Sequence, residues 1–320
     1  MGQAGIGPAR WSAWRPLALR SPPTPPVLAE MLDGGQAFRW HHQANGEWQG
    51  VWSGHVARLR HGPGEGLEWS APLGAADATG PALVHYLDGG RDPRELADGL
   101  PWRSDPHLAR CLAAWPGLRI LRQPLGETLL CFLCSATKRI VQIKQMAALL
   151  AERHGRPLDA RAAGIPSHPG EATADATPRY RLPAWDELAG IPEADLRACR
   201  LGFRARHIHQ TAQFLAARPG WLEETAALPY PAARERLCLL PGVGEKVADC
   251  VLLFGANRLE AFPVDVWILK AMGRRYGLDG WRPGPIAHFG RVHFGGLAGL
   301  AQQYLFAWER REGVQPPVVN

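Results

Sequence analysis

The sequence predicts an α+β fold, in which a small N-terminal antiparallel β-sheet domain precedes a helical bundle. Between residues 27 and 75, apolar and polar residues alternate or aromatic residues recur, which is typical of strands. From about residue 120 the apolar residues instead recur every three or four positions, as in amphipathic helices. The 320 residues are enough for two domains of ordinary size, and we see no internal repeat.

The composition indicates a globular protein with a mild excess of positive charge. Apolar residues make up 46% of the chain, so it can form a substantial core. Basic residues exceed acidic ones by 36 − 30 = +6, which suits a polyanionic partner but also many ordinary enzymes. No apolar run approaches the roughly 18 residues of a membrane-spanning helix, and the N-terminus lacks a signal-peptide pattern. We therefore expect no membrane association and a cytoplasmic or nucleoid location.

The six cysteines do not form a dense disulfide framework, and most lie within apolar runs. This pattern favours reduced, buried thiols. Cys131 and Cys134 have the spacing of half a zinc site, but no second pair follows at a suitable distance. We interpret them as two positions on a buried helix.

The N-terminal part is divided by its composition. Residues 1–26 contain six prolines and predict a mobile leader. An antiparallel β domain is expected over residues 27–118, with strands at 37–40, 47–52 and 55–60. Asn45 and Gly46 predict a hairpin turn between the first two strands.

A helical domain is expected over residues 119–312, followed by a short tail over 313–320. A stretch rich in Pro, Gly, Ala and charge over 155–183 predicts a long surface loop. Apolar spacing predicts helices around 125–133 and 140–150, and then at 193–200, 204–217, 232–240, 245–255, 266–276 and 296–311.

The segment 239–265, LLPGVGEKVADCVLLFGANRLEAFPVD, carries the residues with the clearest chemical meaning. It places a tight turn inside a helix–hairpin–helix over 232–256. Gly242 and Gly244 permit the turn and leave backbone N–H groups uncovered that a side chain would cover. Such a turn before a helix can bind one DNA phosphate. It can equally be a plain connection with glycine as the helix C-cap.

Lys246 is predicted in the first turn of the helix that follows. The positive end of the helix dipole and burial both disfavour an ammonium group there. A neutral amine in such a place is a nucleophile of the Schiff-base type. The alternative is an exposed lysine with no chemical role. Cys250 lies one turn later on the same face and is most simply a packed residue, while Asp249 could be solvated or structural.

Asp265 precedes the predicted helix over 266–276 and is expected to be its N-cap. Hydrogen bonds from the helix N–H groups would lower the pKa of this carboxyl group and keep it ionised. Most such aspartates only cap a helix. A carboxylate beside a neutral amine also suits departure of a base from a deoxyribose, because the transition state at C1′ is cation-like. The pair therefore indicates covalent chemistry on DNA.

These residues resemble the helix–hairpin–helix, Gly/Pro-rich loop and aspartate signature of the HhH-GPD DNA glycosylases, and in detail the 8-oxoguanine DNA glycosylase/AP lyase family. The resemblance covers roughly residues 27–310. Its other motifs are Gly35-Gln-Ala-Phe-Arg-Trp, Trp48-Gln-Gly-Val, Leu121-Arg-Gln-Pro, Leu201-Gly-Phe-Arg-Ala-Arg and Ala301-Gln-Gln-Tyr-Leu-Phe.

The resemblance implies a β domain like the TATA-binding protein, followed by an HhH-GPD glycosylase bundle. It implies a bifunctional enzyme that excises 8-oxoguanine from double-stranded DNA and cleaves the abasic site by β-elimination. No cofactor is required for this chemistry. The enzyme is expected to act as a monomer.

Catalytic and base-binding roles follow from the resemblance. Lys246 is the Schiff-base nucleophile, and Asp265 is its electrostatic partner. The carbonyl of Gly35 accepts the N7–H that only the oxidised guanine carries, whereas normal guanine presents a lone pair there. The base pocket as a whole comprises Gly35, Cys250, Phe254, Gln302 and Phe306. Simpler interpretations are a core residue for Phe306, a surface residue for Gln302 and a turn for Gly35.

The resemblance also implies contacts with the rest of the DNA. The phosphate contacts are Gly242, Val243, Gly244 and Trp267. The gap left by the flipped base and the opposite base are contacted by Thr137, Gln142, Phe203 and Arg204. Animal members have asparagine, arginine and tyrosine at the first three of these positions, so a strict preference for an opposite cytosine is not implied.

Backbone carbonyls of the hairpin match positions that hold a structural monovalent cation in such proteins. They belong to Cys238, Leu240 and Val243.

Two other functions are compatible with parts of the pattern. An alkylpurine DNA glycosylase of the same superfamily relies on the aspartate without the lysine, so Lys246 argues against it. A non-catalytic helix–hairpin–helix DNA-binding protein would need neither Lys246 nor Asp265.

Overall fold

A computed structural model describes residues 11–64, 66–158 and 180–312. Its first part is a five-stranded antiparallel sheet in the order β1-β5-β4-β3-β2. The strands are β1 Arg15–Pro16, β2 Trp40–His42, β3 Trp48–Trp52, β4 His55–His61 and β5 Leu67–Ser70. Helices follow the sheet over most of the remaining chain, and the predicted α+β fold is confirmed.

Among the described residues of this first part, the α-helices that accompany the sheet are α1 Pro25–Asp33, α2 Ala76–Tyr86, α3 Pro93–Asp98 and α4 Pro106–Ala114. The helical part consists of α5 Leu125–Leu133, α6 Ile140–His154, α7 Trp185–Ala189, α8 Glu193–Leu196, α9 Arg204–Ala216, α10 Trp221–Ala227, α11 Tyr230–Leu237, α12 Glu245–Gly255, α13 Val266–Tyr276, α14 Pro283–Phe294 and α15 Ala298–Glu312.

The predicted hairpin turn between β2 and β3 is confirmed. Gly46 has a φ of +84°, and its N–H donates to the carbonyl of Gln43 at 3.0 Å. In β3, Gly50 leaves room for the fully buried indole of Trp40, because a Cβ atom on Gly50 would lie 2.2 Å from that ring. Trp40 also stacks on Trp52 with ring centroids 5.7 Å apart. These aromatic contacts fix the register of the sheet.

The predicted mobile leader over 1–26 is wrong for the part that the structure describes. The strand β1 pairs with β5, the N–H of Ser12 donates to the carbonyl of Ala71 at 2.8 Å, and Leu17 is buried. Pro16 is tolerated because β1 is an edge strand, where a missing N–H need not break a ladder bond. Residues 1–10 and the predicted tail over 313–320 lie outside the described residues.

Two helical predictions also need correction. The helix expected over 193–200 ends at Leu196 and gives way to an irregular turn, in which Arg200 has a φ of +63°. The helices α7, α10 and α14 were not predicted; at α14 the prolines and glycine at 283–285 conceal the start, although proline is favourable in a first turn. The central part of the predicted loop, 159–179, lies outside the described residues.

The C-terminal helix α15 joins the two parts of the molecule by packing against both α4 and α13. Its residue Tyr304 is fully buried and donates a hydrogen bond to the carbonyl of Leu118 at 3.2 Å. Cys131 and Cys134 are buried at the end of α5, as predicted. Within the described residues, no helix is long and apolar enough to cross a bilayer.

Candidate active site

The predicted helix–hairpin–helix is confirmed: residues 238–244 connect α11 to α12. Val243 is buried and donates its N–H to the carbonyl of Leu240 at 3.1 Å, which closes the turn. Gly242 has a φ of +79°, a backbone conformation that glycine adopts without strain. Gly242 and Gly244 are both exposed, and in the part of the chain that the structure describes the N-cap of α12 is Gly244, which brings no capping side chain. The first N–H groups of this helix are thus open to an anion.

The lysine of the predicted pair lies where it was expected, in the first turn of α12. Lys246 is half-buried, and its Nζ lies 5.2 Å from the centroid of the Phe132 ring. Cys250 is buried one turn further along the helix. Burial raises the pKa of the Cys250 thiol to about 11, although Lys246 acts in the opposite direction. The thiol of Cys250 is therefore held in its neutral, poorly nucleophilic form.

A buried polar cluster holds α12 against α11. The hydroxyl of Tyr230 donates to Asp249 at 2.7 Å, and Arg234 Nε lies 3.1 Å from the same carboxylate oxygen. Asp249 is buried, so of the two roles considered for it the structural one applies. The cluster fixes the start of the helix that carries Lys246.

The aspartate of the pair caps α13, as predicted. Asp265 Oδ1 accepts hydrogen bonds from the N–H groups of Trp267 at 3.0 Å and Ile268 at 2.9 Å. The expected lowering of its pKa is wrong, however. Burial raises the pKa of the Asp265 carboxyl, and this outweighs the helix N–H bonds and the charge of Lys246, which act in the opposite direction.

Lys246 and Asp265 line one cavity of about 460 Å³. This cavity lies between the first turn of α12, the start of α13, the ends of α5 and α15, the start of α6 and the turn after α1. Of the predicted site residues, it brings together Gly35, Lys246, Asp265, Trp267 and Phe306. Its other lining residues are Phe38, Phe132, Ser135, Lys138, Arg139, Ile140, Val141, Ile143, Val266 and Arg310. The volume is that of a site for one small organic group.

The turn after α1 brings backbone into the cavity wall. Gly35 has a φ of +113°, and a Cβ atom there would lie 3.4 Å from Ile140 and 3.8 Å from Phe306. Among the described residues, no hydrogen-bond donor reaches its carbonyl group. A glycine is therefore required by the backbone conformation, and its carbonyl is available as an acceptor.

Three residues predicted for the base pocket lie outside the cavity lining. The first, Cys250, is buried behind Lys246, and Phe254 stacks on Phe132 with ring centroids 5.5 Å apart. Gln302 is also buried: its amide donates to the carbonyl of Pro263 at 3.1 Å, and its side-chain oxygen accepts from Gln303. The interpretation of Gln302 as a surface residue is thus wrong. The ring of Phe254 thus packs against Phe132, and the side chain of Gln302 already has hydrogen-bond partners within the protein. Contact of these three residues with a base stays a prediction.

Three of the residues predicted at the DNA gap lie together. Arg204 donates to Thr137 Oγ1 at 3.0 Å and to the carbonyl of Ala136, and its guanidinium lies 4.3 Å from the ring centroid of Phe203. Phe203 is 54% exposed. Gln142 differs, because its side-chain oxygen accepts from the N–H of Arg139 and so caps α6. Their contacts with DNA stay predictions.

The cation site stays a prediction as well. The residues Cys238, Leu240 and Val243 all belong to the hairpin, and the carbonyl of Leu240 already accepts the N–H of Val243. A carbonyl oxygen has a second lone pair, so this bond is compatible with a cation.

Sequence reasoning missed several lining residues. Phe132 and Ile143 follow the apolar spacing of core helices, and nothing in that spacing separates a cavity wall from a core. Arg310 carried a signal, because it follows the motif that contains Phe306 by one helical turn and so lies on the same helix face.

The fold and the site together define the class of protein, which is a helix–hairpin–helix DNA glycosylase. The features that define it are the β domain, the helical bundle, the open hairpin and the cavity lined by Lys246 and Asp265. The sequence profile of the 8-oxoguanine DNA glycosylase N-terminal domain matches residues 18–129. An Arabidopsis thaliana protein named N-glycosylase/DNA lyase OGG1 is 30% identical over 313 residues, which covers 92% of this chain and 80% of that protein. The chain belongs to the 8-oxoguanine DNA glycosylase family.

Other relatives agree with this assignment. The N-glycosylase/DNA lyase of Saccharomyces cerevisiae is 29% identical over 279 residues, which covers 79% of this chain and 69% of that protein. The solved structure of Clostridium acetobutylicum 8-oxoguanine glycosylase/lyase, in complex with double-stranded DNA containing cytosine opposite 8-oxoG, superposes with a TM-score of 0.78 at 32% identity. The match covers 90% of this chain and 92% of that one.

Proposed function

We propose that this chain excises 8-oxoguanine from double-stranded DNA and then cleaves the resulting abasic site. The observation that carries the proposal is the presence of Lys246 and Asp265 in one cavity with the glycine turn at Gly35. Membership of the family and the names of the relatives support the same substrate and the combined glycosylase and lyase activities.

The chemistry follows from the side chains of Lys246 and Asp265. The amine of Lys246 attacks C1′ of the deoxyribose, and the bond between C1′ and the base breaks, so that the base leaves with the electron pair and takes up the proton that the amine loses. The ionised carboxylate of Asp265 stabilises the positive charge that develops on the sugar. Opening of the sugar ring gives an imine on Lys246. Loss of a C2′ proton from this imine expels the 3′ phosphate by β-elimination.

Base selection is supported by the turn at Gly35. An oxidised guanine carries an N7–H that can donate to the carbonyl of Gly35, whereas undamaged guanine would place its N7 lone pair against that oxygen. Leaving a buried acceptor without a donor costs roughly 1–3 kcal/mol, which corresponds to about 5- to 150-fold in rate. The Phe306 ring, which also lines the cavity, would lie against a base that enters.

The features around the cavity support duplex DNA as the partner. Lys138 and Arg139 line the cavity as cationic side chains suited to phosphates. The N–H groups at Gly244 and the first turn of α12 suit one more phosphate. The exposed ring of Phe203 is suited to inserting between base pairs when a nucleotide is extruded. We further propose that one monomer is sufficient for these contacts.

The test uses duplexes that carry 8-oxoguanine opposite each of the four bases. We expect release of the base, strand scission and, with borohydride, a covalent protein–DNA adduct. Lys246→Gln should abolish the adduct while DNA binding persists. Absence of both scission and adduct in the unmodified protein would overturn the proposal.

An alkylpurine duplex distinguishes the alternative within the superfamily. Release of alkylated bases by Lys246→Gln as fast as by the unmodified chain, without any adduct, would favour that alternative. If the wild type, Lys246→Gln and Asp265→Asn behaved alike in every activity assay, a non-catalytic DNA-binding protein would be favoured.

A further inference from the structure

We infer that Arg310 and Gln123 are positioning residues that hold the two carbonyl groups flanking Gly35, so that only the Gly35 carbonyl is left for the substrate base. The inference rests on the proposed function, because it assigns a purpose to the same turn.

The first contact lies before Gly35. Arg310 Nη1 donates to the carbonyl of Gly34 at 2.6 Å and to Glu30 Oε1 at 3.0 Å. Its guanidinium also lies 5.4 Å from the ring centroid of Phe306, and Arg310 itself lines the cavity. One side chain therefore links the end of α1, the glycine turn and the aromatic wall of the cavity.

The second contact lies after Gly35. Gln123 Nε2 donates to the carbonyl of Gln36 at 2.6 Å. The side chain of Gln36 is itself anchored, since its amide donates to the carbonyl of Arg119 at 2.9 Å and its oxygen accepts from the N–H of Leu121 at 2.9 Å. The chain after Gly35 is thus fixed at three hydrogen bonds.

Between these contacts the backbone has little intrinsic stiffness. Gly34 and Gly35 are consecutive glycines, the residues with the widest choice of backbone angles. If either flanking carbonyl lost its donor, the peptide groups of the turn could rotate, and the orientation of the Gly35 carbonyl would be lost. Selection of the base by the Gly35 carbonyl depends on the direction in which this group points, because a hydrogen bond weakens steeply as its angle departs from linearity.

The arrangement predicts that the positioning residues affect base excision far more than cleavage of an abasic site. An abasic site has no base to place against Gly35, and its cleavage needs only Lys246 and the sugar. The ratio of the two single-turnover rates on duplexes of identical sequence is thus a readout that a merely structural residue would not change.

Two variants remove the donors, and two serve as controls. Arg310→Leu removes the bond to Gly34, and Gln123→Met removes the bond to Gln36 with little change in size. Arg310→Lys keeps a cationic donor. Arg311→Ala removes the next arginine of α15, which is exposed and lies near Trp115 instead of the cavity.

For Arg310→Leu and Gln123→Met we expect 8-oxoguanine excision to fall about 10- to 100-fold, while abasic-site cleavage changes less than about threefold. Arg310→Lys should recover most of the loss, and Arg311→Ala should match the unmodified chain. If Arg310→Leu does not fold, the ratios of the two single-turnover rates for Gln123→Met and Arg310→Lys test the inference instead.

Equal loss on both duplexes, or no loss on either, would overturn the inference while leaving the proposed function intact. No recovery in Arg310→Lys would likewise overturn the role given to its donor. An unmodified chain that cleaves neither duplex would instead overturn the proposed function itself.

Discussion

Asp265 caps α13, the helix after the one that carries Lys246, and the two residues line the same cavity. In the proposed mechanism, the carboxylate that caps the helix is thus also the group that stabilises the charge on the sugar. Hydrogen bonds from two helix N–H groups fix its direction, while burial raises its pKa. This combination orients a negative charge where water does not screen it well, which is the condition for strong electrostatic stabilisation.

The first prediction concerns pH. Because the pKa of Asp265 is raised in the folded protein, its ionised form is present above that pKa and is lost as the pH falls through it. Excision should therefore decline at a higher pH than expected for an aspartate of ordinary pKa, about 3.9. The measurement is the single-turnover excision rate across the acidic range.

Two variants control this experiment. Asp265→Asn should lower the rate by about 100-fold or more and remove the acidic decline from what remains. Asp77→Asn, which changes a fully exposed carboxylate on α2, should leave the profile unaltered. Persistence of the same decline in Asp265→Asn would assign it to another group.

The second prediction concerns the hairpin turn. A Cβ atom at Gly242 would meet His207 at 2.7–2.8 Å, and its φ of +79° is unfavourable for an L side chain. Gly242→Ala should therefore lower the free energy of unfolding by about 2–4 kcal/mol and weaken DNA binding.

The matched control is the other glycine of the same turn. Gly244 has open space around its Cβ position and an ordinary extended conformation, so Gly244→Ala should cost less than about 1 kcal/mol. Denaturant unfolding of both variants measures the difference. Equal destabilisation would show that the His207 contact does not restrict the turn.

The sequence was sufficient to predict the parts of the site that depend on local rules. The hairpin glycines, the first-turn position of Lys246 and the capping role of Asp265 all follow from helix termini and turns. The pKa direction of Asp265 was predicted wrongly, because the local hydrogen bonds are visible in sequence whereas the burial that outweighs them depends on distant segments.

The remaining parts depend on tertiary packing. Phe132 stacks on Phe254 and lies near Lys246, an arrangement that no spacing along the chain specifies. Similarly, the six prolines of residues 1–26 suggested a mobile leader, yet part of this segment pairs with the edge of the sheet as β1. Pairing with β5 could not be inferred from local composition.

The third prediction concerns the contribution of Glu187, a residue of α7, to the free energy of unfolding. Glu187 accepts two hydrogen bonds from Arg181, at 2.7 and 2.8 Å, and also pairs with Arg156. Chiefly through Arg181, the pKa of Glu187 falls from 4.5 to about 2. Since the folded-state pKa is depressed, the stabilisation is present above about pH 4.5 and is lost as the pH falls toward about 2.

Glu187→Gln should accordingly lower the free energy of unfolding at neutral pH by about 1–3 kcal/mol, a range reduced for the partial exposure of the pair. The two proteins should converge in stability as the medium approaches pH 2. Asp186→Asn, at the neighbouring exposed position, provides the control. A stability difference that stays constant across this interval would contradict the assignment to Glu187 ionisation.

The fourth prediction separates stability from DNA distortion. Phe203 is 54% exposed and contacts Arg204 and His207, so Phe203→Ala should change the free energy of unfolding by no more than about 0.5 kcal/mol. If its ring supports an extruded nucleotide, excision from duplex DNA by Phe203→Ala should fall about tenfold, because extrusion costs a few kcal/mol and the inserted ring offsets part of that cost.

Val292→Ala, at a 70% exposed apolar position on α14, is the control and should alter neither the free energy of unfolding nor the excision rate. The effect should shrink when the lesion lies opposite a mismatched base, since such a base pair is already weakened. A loss of the same size on matched and mismatched duplexes would mean that Phe203 acts in some step other than extrusion.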